Sequence, residues 1–555
     1  MDMVYIEVSI VCFLLSYSPF VSSIEGTLSS TTDVDLGYAI YRGTYDKEMN
    51  QTEFLGIRYA ASPTDNLRFQ APKKPYSIRD EGIIEANTFP PVCFQAFPGT
   101  QPTSPPVTNN YTKAQLHTTS NIRKKISNEA TDLGQSEDCL FLNVYVSGTL
   151  NSLGKMPVVV WIHGGGYILG GGSMYPGSDL VKGAGGGIIA VVIQYRLGLF
   201  GFLAGNEVKE KGSLNAGLLD QRLALEWVQD NIHLFGGDPN KVTIWGESAG
   251  AGSVVQHMVA YGGHSPRKLF SNAITSSIFL PSQYNYDDPA SEKIYSDTVQ
   301  LTGCGSTNDS FACLTQVDAS LLEIANLAIN NAGFFGTFVV VPVVDGELII
   351  EQPMKTIAKG NLNAERYLAV SNTFEGRIFV NPILSSEIDT YTYVQRLYPS
   401  FSTSNVQETV QQYTNIGLNT VDEQAVAIMG ESIFICPAYT ILSSFSRGGY
   451  KGLYAIPPGN HGDDIQHYFP ELDSPIADDL FYNSTIFSTS FSGGFLGFVK
   501  FDDPNKHTLP DSKLPEWGVY NVDKSKTEML FNRTADFQPD IRIISTDSGL
   551  LERCE

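Results

Sequence analysis

The segment Val242-Thr243-Ile244-Trp245-Gly246-Glu247-Ser248-Ala249-Gly250 joins an apolar run to a Gly-x-Ser-x-Gly motif. Its first four residues are β-branched or aromatic and predict a buried strand. The segment Ala251 to Met258 that follows predicts a helix. Between them the G-x-S-x-G spacing allows a strained turn that lifts the Ser248 hydroxyl above the sheet. The stretch therefore predicts a strand–turn–helix unit with Ser248 as a candidate nucleophile at its tip.

Strands and helices alternate on both sides of this unit. Val158 to Ile162 is a continuous apolar run that ends in glycines, and Ile188 to Gln194 is a second such run. Leu219, Leu223 and Trp227 recur every four residues and predict one apolar helix face. This alternation predicts an α/β fold with a large, mostly parallel central sheet that helices cover on both faces.

Two kinds of insertion interrupt the alternation. Residues 94–138 are polar, rich in Pro, Thr and Asn, and predict a flap or lid. Residues ~280–360 and ~385–450 are more helical and predict a cap. Because no linker separates these segments, we expect a single domain over 24–555.

The composition excludes some partners and permits a large core. The chain has 555 residues, with 36 Lys plus Arg against 59 Asp plus Glu, for a net charge of −23. Such a charge repels phosphate backbones, so nucleic acid is not an expected partner. With 42% hydrophobic and 17% charged residues, the chain can bury a sizeable core.

The N-terminus predicts secretion. Val8 to Tyr17 is mostly apolar, and Val21-Ser22-Ser23 offers small residues for cleavage, which predicts a signal peptide over 1–23. Asp2 and Glu7 stand where basic residues are usual, and a buried first strand or an uncleaved anchor is the alternative. No later run reaches the ~20 apolar residues of a transmembrane span. We therefore expect an extracellular protein.

Cysteines and sequons fit that compartment. Apart from Cys12 in the signal, six cysteines remain, enough for three bridges whose pairing the sequence leaves open. Cys304 and Cys313 are close in the chain and bracket a polar loop, which predicts that they pair. Cys436 follows an apolar run and predicts a buried thiol, whereas Cys554 could link subunits or stay free. Glycan acceptor sequons begin at Asn50, Asn110, Asn308, Asn483 and Asn532.

A glycine loop follows the strand Val158 to Ile162. In His163-Gly164-Gly165-Gly166-Tyr167 successive glycines allow backbone N–H groups to point into one cavity. Glycines alone would equally fit a flexible turn, but this position after a strand and upstream of the Ser248 turn favours an oxyanion-binding loop. We expect its donors to be the amides of Gly165, Gly166 and Ala249.

A base and an acid should follow Ser248 in the chain. Among the later histidines, His461 lies on a loop after the strand Tyr454-Ala455-Ile456, which favours it over the other candidates, namely His257, His264, His467 and His507. Glu375 follows the predicted strand Tyr367 to Val370 and is the favoured acid. Its rivals are Asp345, Asp463 and Asp464.

Longer motifs surround these residues in a specific order. The chain resembles the type-B carboxylesterase/lipase family of cholinesterase-like α/β-hydrolases, and is most similar to its fungal secreted members. The resemblance covers about residues 30–520 and is carried by six segments: Phe54–Ala60, Ser136–Tyr145, Gln194–Gly198, Asp238–Gly250, Asn372–Gly376 and Leu514–Trp517. It implies the α/β-hydrolase fold, a catalytic triad of Ser248, Glu375 and His461, and disulfides Cys93–Cys139 and Cys304–Cys313. It implies no metal and no cofactor.

The resemblance also implies an activity. The expected function is hydrolysis of neutral carboxylic esters through an acyl-enzyme, with activity falling below about pH 6 as the histidine is protonated. A triacylglycerol lipase that uses the flap as its lid, or a non-catalytic adhesion module, are the alternatives. Cholinesterases carry a tryptophan in the first Cys loop, and the four tryptophans here, Trp161, Trp227, Trp245 and Trp517, all lie elsewhere. A small-molecule or lipid ester is therefore the expected partner, and the sequence leaves the oligomeric state open.

Overall fold

The computed structural model describes residues 32–103, 134–150, 154–445, 447–470, 472, 482–506, 509–520 and 526–555. The predicted signal peptide, Asn110, His507 and most of the predicted flap lie outside these residues.

Strands and helices alternate through the described residues. The strands are β1 (Asp33–Asp35), β2 (Ile40–Arg42), β3 (Thr44–Asp46), β4 (Gln51–Arg58), β5 (Ile83–Glu85), β6 (Phe141–Ser147), β7 (Met156–Ile162), β8 (Ile189–Ile193), β9 (Gly237–Glu247), β10 (Asn272–Ser276), β11 (Arg366–Asn372), β12 (Gly449–Tyr454), β13 (Thr527–Arg533) and β14 (Pro539–Ser545). The helices up to the middle of the chain are α1 (Gly177–Gly183), α2 (Gly198–Phe202), α3 (Asn206–Lys211), α4 (Ala216–Asn231), α5 (Ala249–Gly263), α6 (Pro289–Leu301), α7 (Ser310–Gln316) and α8 (Ala319–Asn331). The later helices are α9 (Pro353–Ala358), α10 (Pro382–Glu387), α11 (Thr390–Leu397), α12 (Thr403–Thr414), α13 (Val421–Gly430), α14 (Cys436–Ser444), α15 (Thr485–Phe501) and α16 (Ser548–Cys554).

One large sheet organises these elements. Its strand order is β14-β13-β12-β11-β10-β9-β7-β8-β6-β4-β3. The strands from β13 to β8 in this order run parallel, and the antiparallel pairs lie at the two ends. A smaller sheet has the order β1-β2-β5. The prediction of a mostly parallel central sheet is confirmed.

The sheet is buried on both faces. Along β7, Val158, Val160 and Ile162 belong to one apolar cluster, whereas Val159 and Trp161 belong to the other. Side chains alternate across a strand, so two cores lie on opposite faces of one sheet. This explains why β7 shows a continuous apolar run in the sequence rather than an alternating one.

The order of the parallel strands creates a site at one edge. The strands β9, β10, β11 and β12 are neighbours, with β7 next to β9. Their carboxyl ends therefore open side by side, and the loops that carry the glycine run, Ser248, Glu375 and His461 leave from that edge.

A composite helix over Val421–Ser444 packs near this edge. By length and composition it could cross a membrane, but 72% of its apolar 18-residue window is buried inside the molecule. Burial of this kind is the ordinary state of a core helix in a globular domain.

Three disulfides lie in the described residues. Two bridges, Cys93–Cys139 and Cys304–Cys313, are the pairs that the resemblance implies. The third joins Cys436 to Cys554 across 118 positions of sequence. The expectation of a buried thiol at Cys436 is therefore wrong, because the chain's last helix brings a partner to it. Of the sequon asparagines, Asn50, Asn308 and Asn483 are exposed and Asn532 is half-buried.

Candidate active site

Ser248 lies at a strained turn between β9 and α5. Its backbone has φ 55° and ψ −122°, a region that costs a non-glycine residue of order 1–3 kcal/mol. The flanking glycines make this turn possible, since a Cβ on Gly250 would lie 1.9 Å from the Ile162 carbonyl oxygen. The turn is fixed on both sides, because the Ser248 amide donates to Ser276 O at 3.0 Å and the Phe279 amide donates to Ser248 O at 3.1 Å.

The glycine loop packs directly against this turn. A Cβ on Gly164 would come within 3.0 Å of the Ser248 Cβ. Gly165 has φ 102° and Gly166 has φ 62°, conformations that favour glycine. His163 supports the loop from behind, with Nδ1 2.9 Å from Gly164 O and its ring stacked on Tyr195 at 4.5 Å. Burial lowers the pKa of His163 to about 4, so this imidazole is neutral and structural.

Three backbone amides are left free at the turn. Within the described part of the chain, the N–H groups of Gly165, Gly166 and Ala249 donate no hydrogen bond to another residue. Ala249 is the first residue of α5, where helix amides lack intrahelical acceptors and the helix dipole favours negative charge. These amides can therefore receive a developing oxyanion.

His461 and Glu375 are brought together across 86 residues. Nδ1 of His461 lies 2.6 Å from Oε2 of Glu375, and the Glu375 side chain is fully buried. The second carboxylate oxygen accepts from the Asn372 amide at 2.6 Å. This network fixes Nδ1 as the donor to the carboxylate and leaves Nε2 to act as a base.

Glu247 is a neighbour of His461 that the sequence argument missed. Its Oε1 lies 3.2 Å from His461 Nε2. Because Glu247 immediately precedes Ser248, this contact places Nε2 beside the Ser248 turn. Among the described residues Nε2 has no hydrogen-bond partner, and the structure does not join it to the Ser248 hydroxyl by a hydrogen bond. The only sequence signal for Glu247 was its place inside the G-x-S-x-G stretch.

Charge around the imidazole favours its protonation. Burial lowers the pKa of His461, but Glu247 and the hydrogen bond to Glu375 outweigh burial and raise the pKa above its ordinary value. Burial raises the pKa of Glu247 to about 8, with Asp464 and Glu375 adding to the shift. The His461–Glu247 pair therefore takes up a proton more readily than the two groups would at their ordinary pKa values.

The other candidate histidines lie elsewhere. His257 contacts Gln221 Oε1 at 3.0 Å, and His467 contacts Ser488 Oγ at 2.9 Å. Burial lowers the pKa of both imidazoles to about 3. His264 is exposed on a turn.

The rival carboxylates also have other partners. Asp345 accepts from Asn215 Nδ2 at 2.6 Å, and Asp463 accepts from the Asn460 amide at 2.7 Å. Asp464 accepts from Asn372 Nδ2 at 3.1 Å. Within the described residues, Glu375 is the acid hydrogen-bonded to His461.

An apolar cleft opens beside these residues. It has a volume of about 1250 Å³ including its open mouth, and its walls include Phe279, Phe338, Phe379 and Phe434. The rings of Phe434 and Phe379 lie 4.5 and 5.1 Å from that of His461. Such a cleft binds an apolar substrate group next to polar reacting atoms. No group of three or more His, Cys, Asp or Glu in the described residues is arranged to hold a metal ion.

Comparison with known proteins identifies this arrangement. The model of the carboxylesterase family matches residues 30–542. The chain belongs to the carboxylesterase family. It is 35% identical over 527 residues to "Secreted lipase 1" of Botryotinia fuckeliana, covering 87% of this chain and 86% of that protein. It is 30% identical over 528 residues to "Liver carboxylesterase" of Sus scrofa, covering 87% and 86%.

The solved structure of Aspergillus niger EstA agrees with the fold. It superposes with a TM-score of 0.79 at 28% identity, covering 94% of this chain and 97% of that one. The chain therefore has the α/β-hydrolase fold and is a carboxylic ester hydrolase of the carboxylesterase family. Relatives named as secreted lipases support an extracellular location.

Proposed function

We propose that this family member hydrolyses neutral carboxylic esters through an acyl-enzyme on Ser248. The observation that carries the proposal is the 2.6 Å contact between His461 Nδ1 and Glu375, on loops beside the strained Ser248 turn. In the first step His461 Nε2 takes the Ser248 proton as Oγ attacks the ester carbonyl. Glu375 keeps the proton on Nδ1 and stabilises the imidazolium that forms.

The free amides of Gly165, Gly166 and Ala249 would hold the oxyanion. Backbone donors fixed before the reaction stabilise a tetrahedral intermediate without the cost of reorganisation. When the intermediate collapses, the imidazolium gives its proton to the leaving alcohol. Water then attacks the acyl-enzyme with His461 again as the base, which returns Ser248 to its starting state.

The apolar cleft supports an ester with an apolar acyl group. Its aromatic walls begin at Phe379 and Phe434 beside His461. Phe279, Phe379 and Phe434 are buried, and Phe338 is half-buried. We propose neutral, soluble esters as the substrate class, and secretion through the signal peptide at 1–23. The acidic chain disfavours anionic substrate surfaces.

Triacylglycerol hydrolysis is the second candidate. The "Secreted lipase 1" relative favours it, as do the exposed side chains of Phe374 and Ile378, which are 53% and 51% accessible beside the cleft residue Phe379. Rates on short- and long-chain esters, measured below and above substrate solubility, separate the two. A rate that rises sharply once an emulsion forms would favour the lipase.

A fluorophosphonate probe tests the nucleophile. We expect it to label Ser248 in the active protein and to leave Ser248→Ala unlabelled. Loss of p-nitrophenyl ester turnover in Ser248→Ala should match the loss of labelling. Near wild-type turnover by Ser248→Ala would overturn the proposal.

A further inference from the structure

The composite helix beside the cleft contains a π-turn. Between α13 and α14, residues Glu431–Ile435 are π-helical, and the Cys436 amide donates to Glu431 O five residues earlier. An α-helix would close this bond over four residues. Such π-turns are rare and occur often at functional sites.

Pro437 explains one hydrogen bond that leaves this turn. In an α-helix the amide of residue 437 would donate to Ile433 O, but proline has no N–H. The Ile433 oxygen instead accepts from the Leu280 amide at 3.1 Å. The residue before Leu280 is Phe279, whose amide donates to Ser248 O. The π-turn is thus linked to the nucleophile turn through two hydrogen bonds.

The π-turn also forms the wall next to the base. Phe434 is 1% exposed, and its ring lies 4.5 Å from the His461 ring. It stacks on Phe379 at 5.1 Å with an interplanar angle of 13°. Ile433 lines the same cleft. The position of the π-turn therefore sets both the width of the cleft and the burial of the imidazole.

The last helix, α16, holds both ends of the π hydrogen bond. Arg553 donates to the two carboxylate oxygens of Glu431 at 2.7 and 2.6 Å, and Tyr413 Oη donates to the same carboxylate at 2.9 Å. Cys554 is disulfide-bonded to Cys436. Glu431 supplies the acceptor of the π bond and Cys436 supplies its donor. We call Arg553 and Cys554 the C-terminal clamp.

We infer that the C-terminal clamp determines the substrate range of this enzyme by fixing the π-turn that holds Phe434 against His461. The inference rests on the proposed function, because it assumes that the cleft binds the ester. Without the clamp, the two ends of the π hydrogen bond lose their contacts with α16 and the turn can shift, while Pro437 still prevents a regular α-helix. Because successive residues of a helix lie about 100° apart around its axis, a shift of the turn also moves the Phe434 ring. Phe434 would then leave His461, the cleft would widen, and water would reach the imidazole.

Arg553→Ala is the main test because it leaves the disulfide intact. We expect KM for p-nitrophenyl octanoate to rise about ten-fold, while kcat on p-nitrophenyl acetate at pH 8 stays within about three-fold, since the acetyl group ends near Ser248. The acidic limb of kcat/KM should move to lower pH. Glu247 and Glu375 hold the pKa of His461 above its ordinary value, and water that reaches the imidazole screens both carboxylates and returns this pKa toward the ordinary value.

Three control variants separate the effect of Phe434 position from general destabilisation of the fold. Arg553→Lys keeps the positive charge but not the bidentate contact with Glu431, and should recover part of the wild-type dependence on ester chain length. Arg542→Ala removes an exposed arginine whose partner Asp540 lies at 2.9 Å on β14, and should leave both readouts unchanged. Cys554→Ser should reproduce the Arg553→Ala changes in folded material. If it fails to fold, Arg553→Ala decides alone.

The outcomes distinguish this inference from the proposed function. A wild-type chain-length profile and acidic limb in Arg553→Ala would overturn the inference, as would equal changes in Arg542→Ala. Failure of the wild-type protein to take fluorophosphonate at Ser248 would instead overturn the proposed function, before any clamp variant is measured.

Discussion

Replacing Glu375 with glutamine removes one negative charge from the site and keeps the size of the side chain. In the native site one oxygen of Glu375 accepts from the Asn372 amide at 2.6 Å and the other lies 2.6 Å from His461 Nδ1. Glutamine can keep the first bond only by turning its NH₂ group toward Nδ1. Nδ1 must then accept, so the imidazole proton moves to Nε2. The nitrogen that should take the Ser248 proton is already occupied.

The magnitude follows from this tautomer change and the lost charge. Exchange of the carboxylate for an amide in a Ser-His-acid triad lowers kcat by about 10⁴-fold. At 1.36 kcal/mol for each ten-fold, that is about 5.5 kcal/mol of lost transition-state stabilisation. Because Glu375 is fully buried, solvent does not screen the loss. We expect kcat of Glu375→Gln on p-nitrophenyl butyrate to fall by about 10³–10⁴-fold at pH 8.

Glu247→Gln is the matched control, since it makes the same exchange of a carboxyl group for an amide beside the other nitrogen of His461. Glu247 raises the pKa of His461, so its loss lowers that pKa and keeps the base unprotonated to lower pH. We expect kcat at pH 8 to stay within about ten-fold of wild type. The acidic limb should move to lower pH by roughly one unit.

Steady-state kinetics from pH 5 to 9 on folded protein, with urea unfolding to verify the fold, measure both variants. A Glu375→Gln enzyme that keeps a tenth of wild-type kcat would refute the reasoning. An equal loss in both variants would refute it too, because loss of any carboxyl group beside His461 would then account for the effect.

Three further predictions concern the core and the cleft. Ser277 has φ 54° and a fully buried hydroxyl without a hydrogen-bond partner among the described residues, so Ser277→Gly should gain about 1 kcal/mol in urea unfolding; a lower stability would contradict this. Lys451 is fully buried with Nζ 3.4 Å from Glu528, so Lys451→Met should cost about 3–5 kcal/mol, and Lys451→Met/Glu528→Leu should recover most of it. Equal unfolding midpoints for the single and double variants would be evidence against the buried pair. A Cβ on Gly166 would lie 1.9 Å from the Phe338 ring, so Phe338 limits the space of the cleft beside the glycine loop. Phe338→Ala should therefore raise the ratio of kcat/KM on long-chain esters to kcat/KM on short-chain esters about ten-fold; an unchanged ratio would contradict this limit.

The fold was predictable from the sequence because its signals are local. A buried parallel strand must be apolar on both faces, and Val158 to Ile162 shows this directly. The strained turn at Ser248 needs small neighbours, and Gly246 and Gly250 mark it. Strand bounds were less predictable. β9 begins at Gly237, where Gly and Pro indicate a helix stop rather than a strand.

The choice between acids depends on topology rather than on residue type. Asp463 and Asp464 are near His461 in the chain, and both are carboxylates on a loop at the same sheet edge. What separates them from Glu375 is the parallel pairing of β11 with β12, which places the Glu375 loop against the Nδ1 side of the imidazole. Glu247 was missed for the same reason, since its side-chain direction follows from the turn geometry at Ser248.

The disulfide between Cys436 and Cys554 could not be predicted from the sequence, for a different physical reason. An apolar neighbourhood predicts burial of Cys436 correctly, at 8% exposure, but burial does not say what the sulfur contacts. Its partner lies at the end of the chain, where local pattern favours a free end. Pro437 was the available signal, because a proline within an apolar helix removes one hydrogen bond and requires a local departure from α-helical geometry. The departure here is the π-turn that brings Phe434 to His461. Specificity in this enzyme then depends on a contact between distant parts of the chain, which only the folded structure brings together.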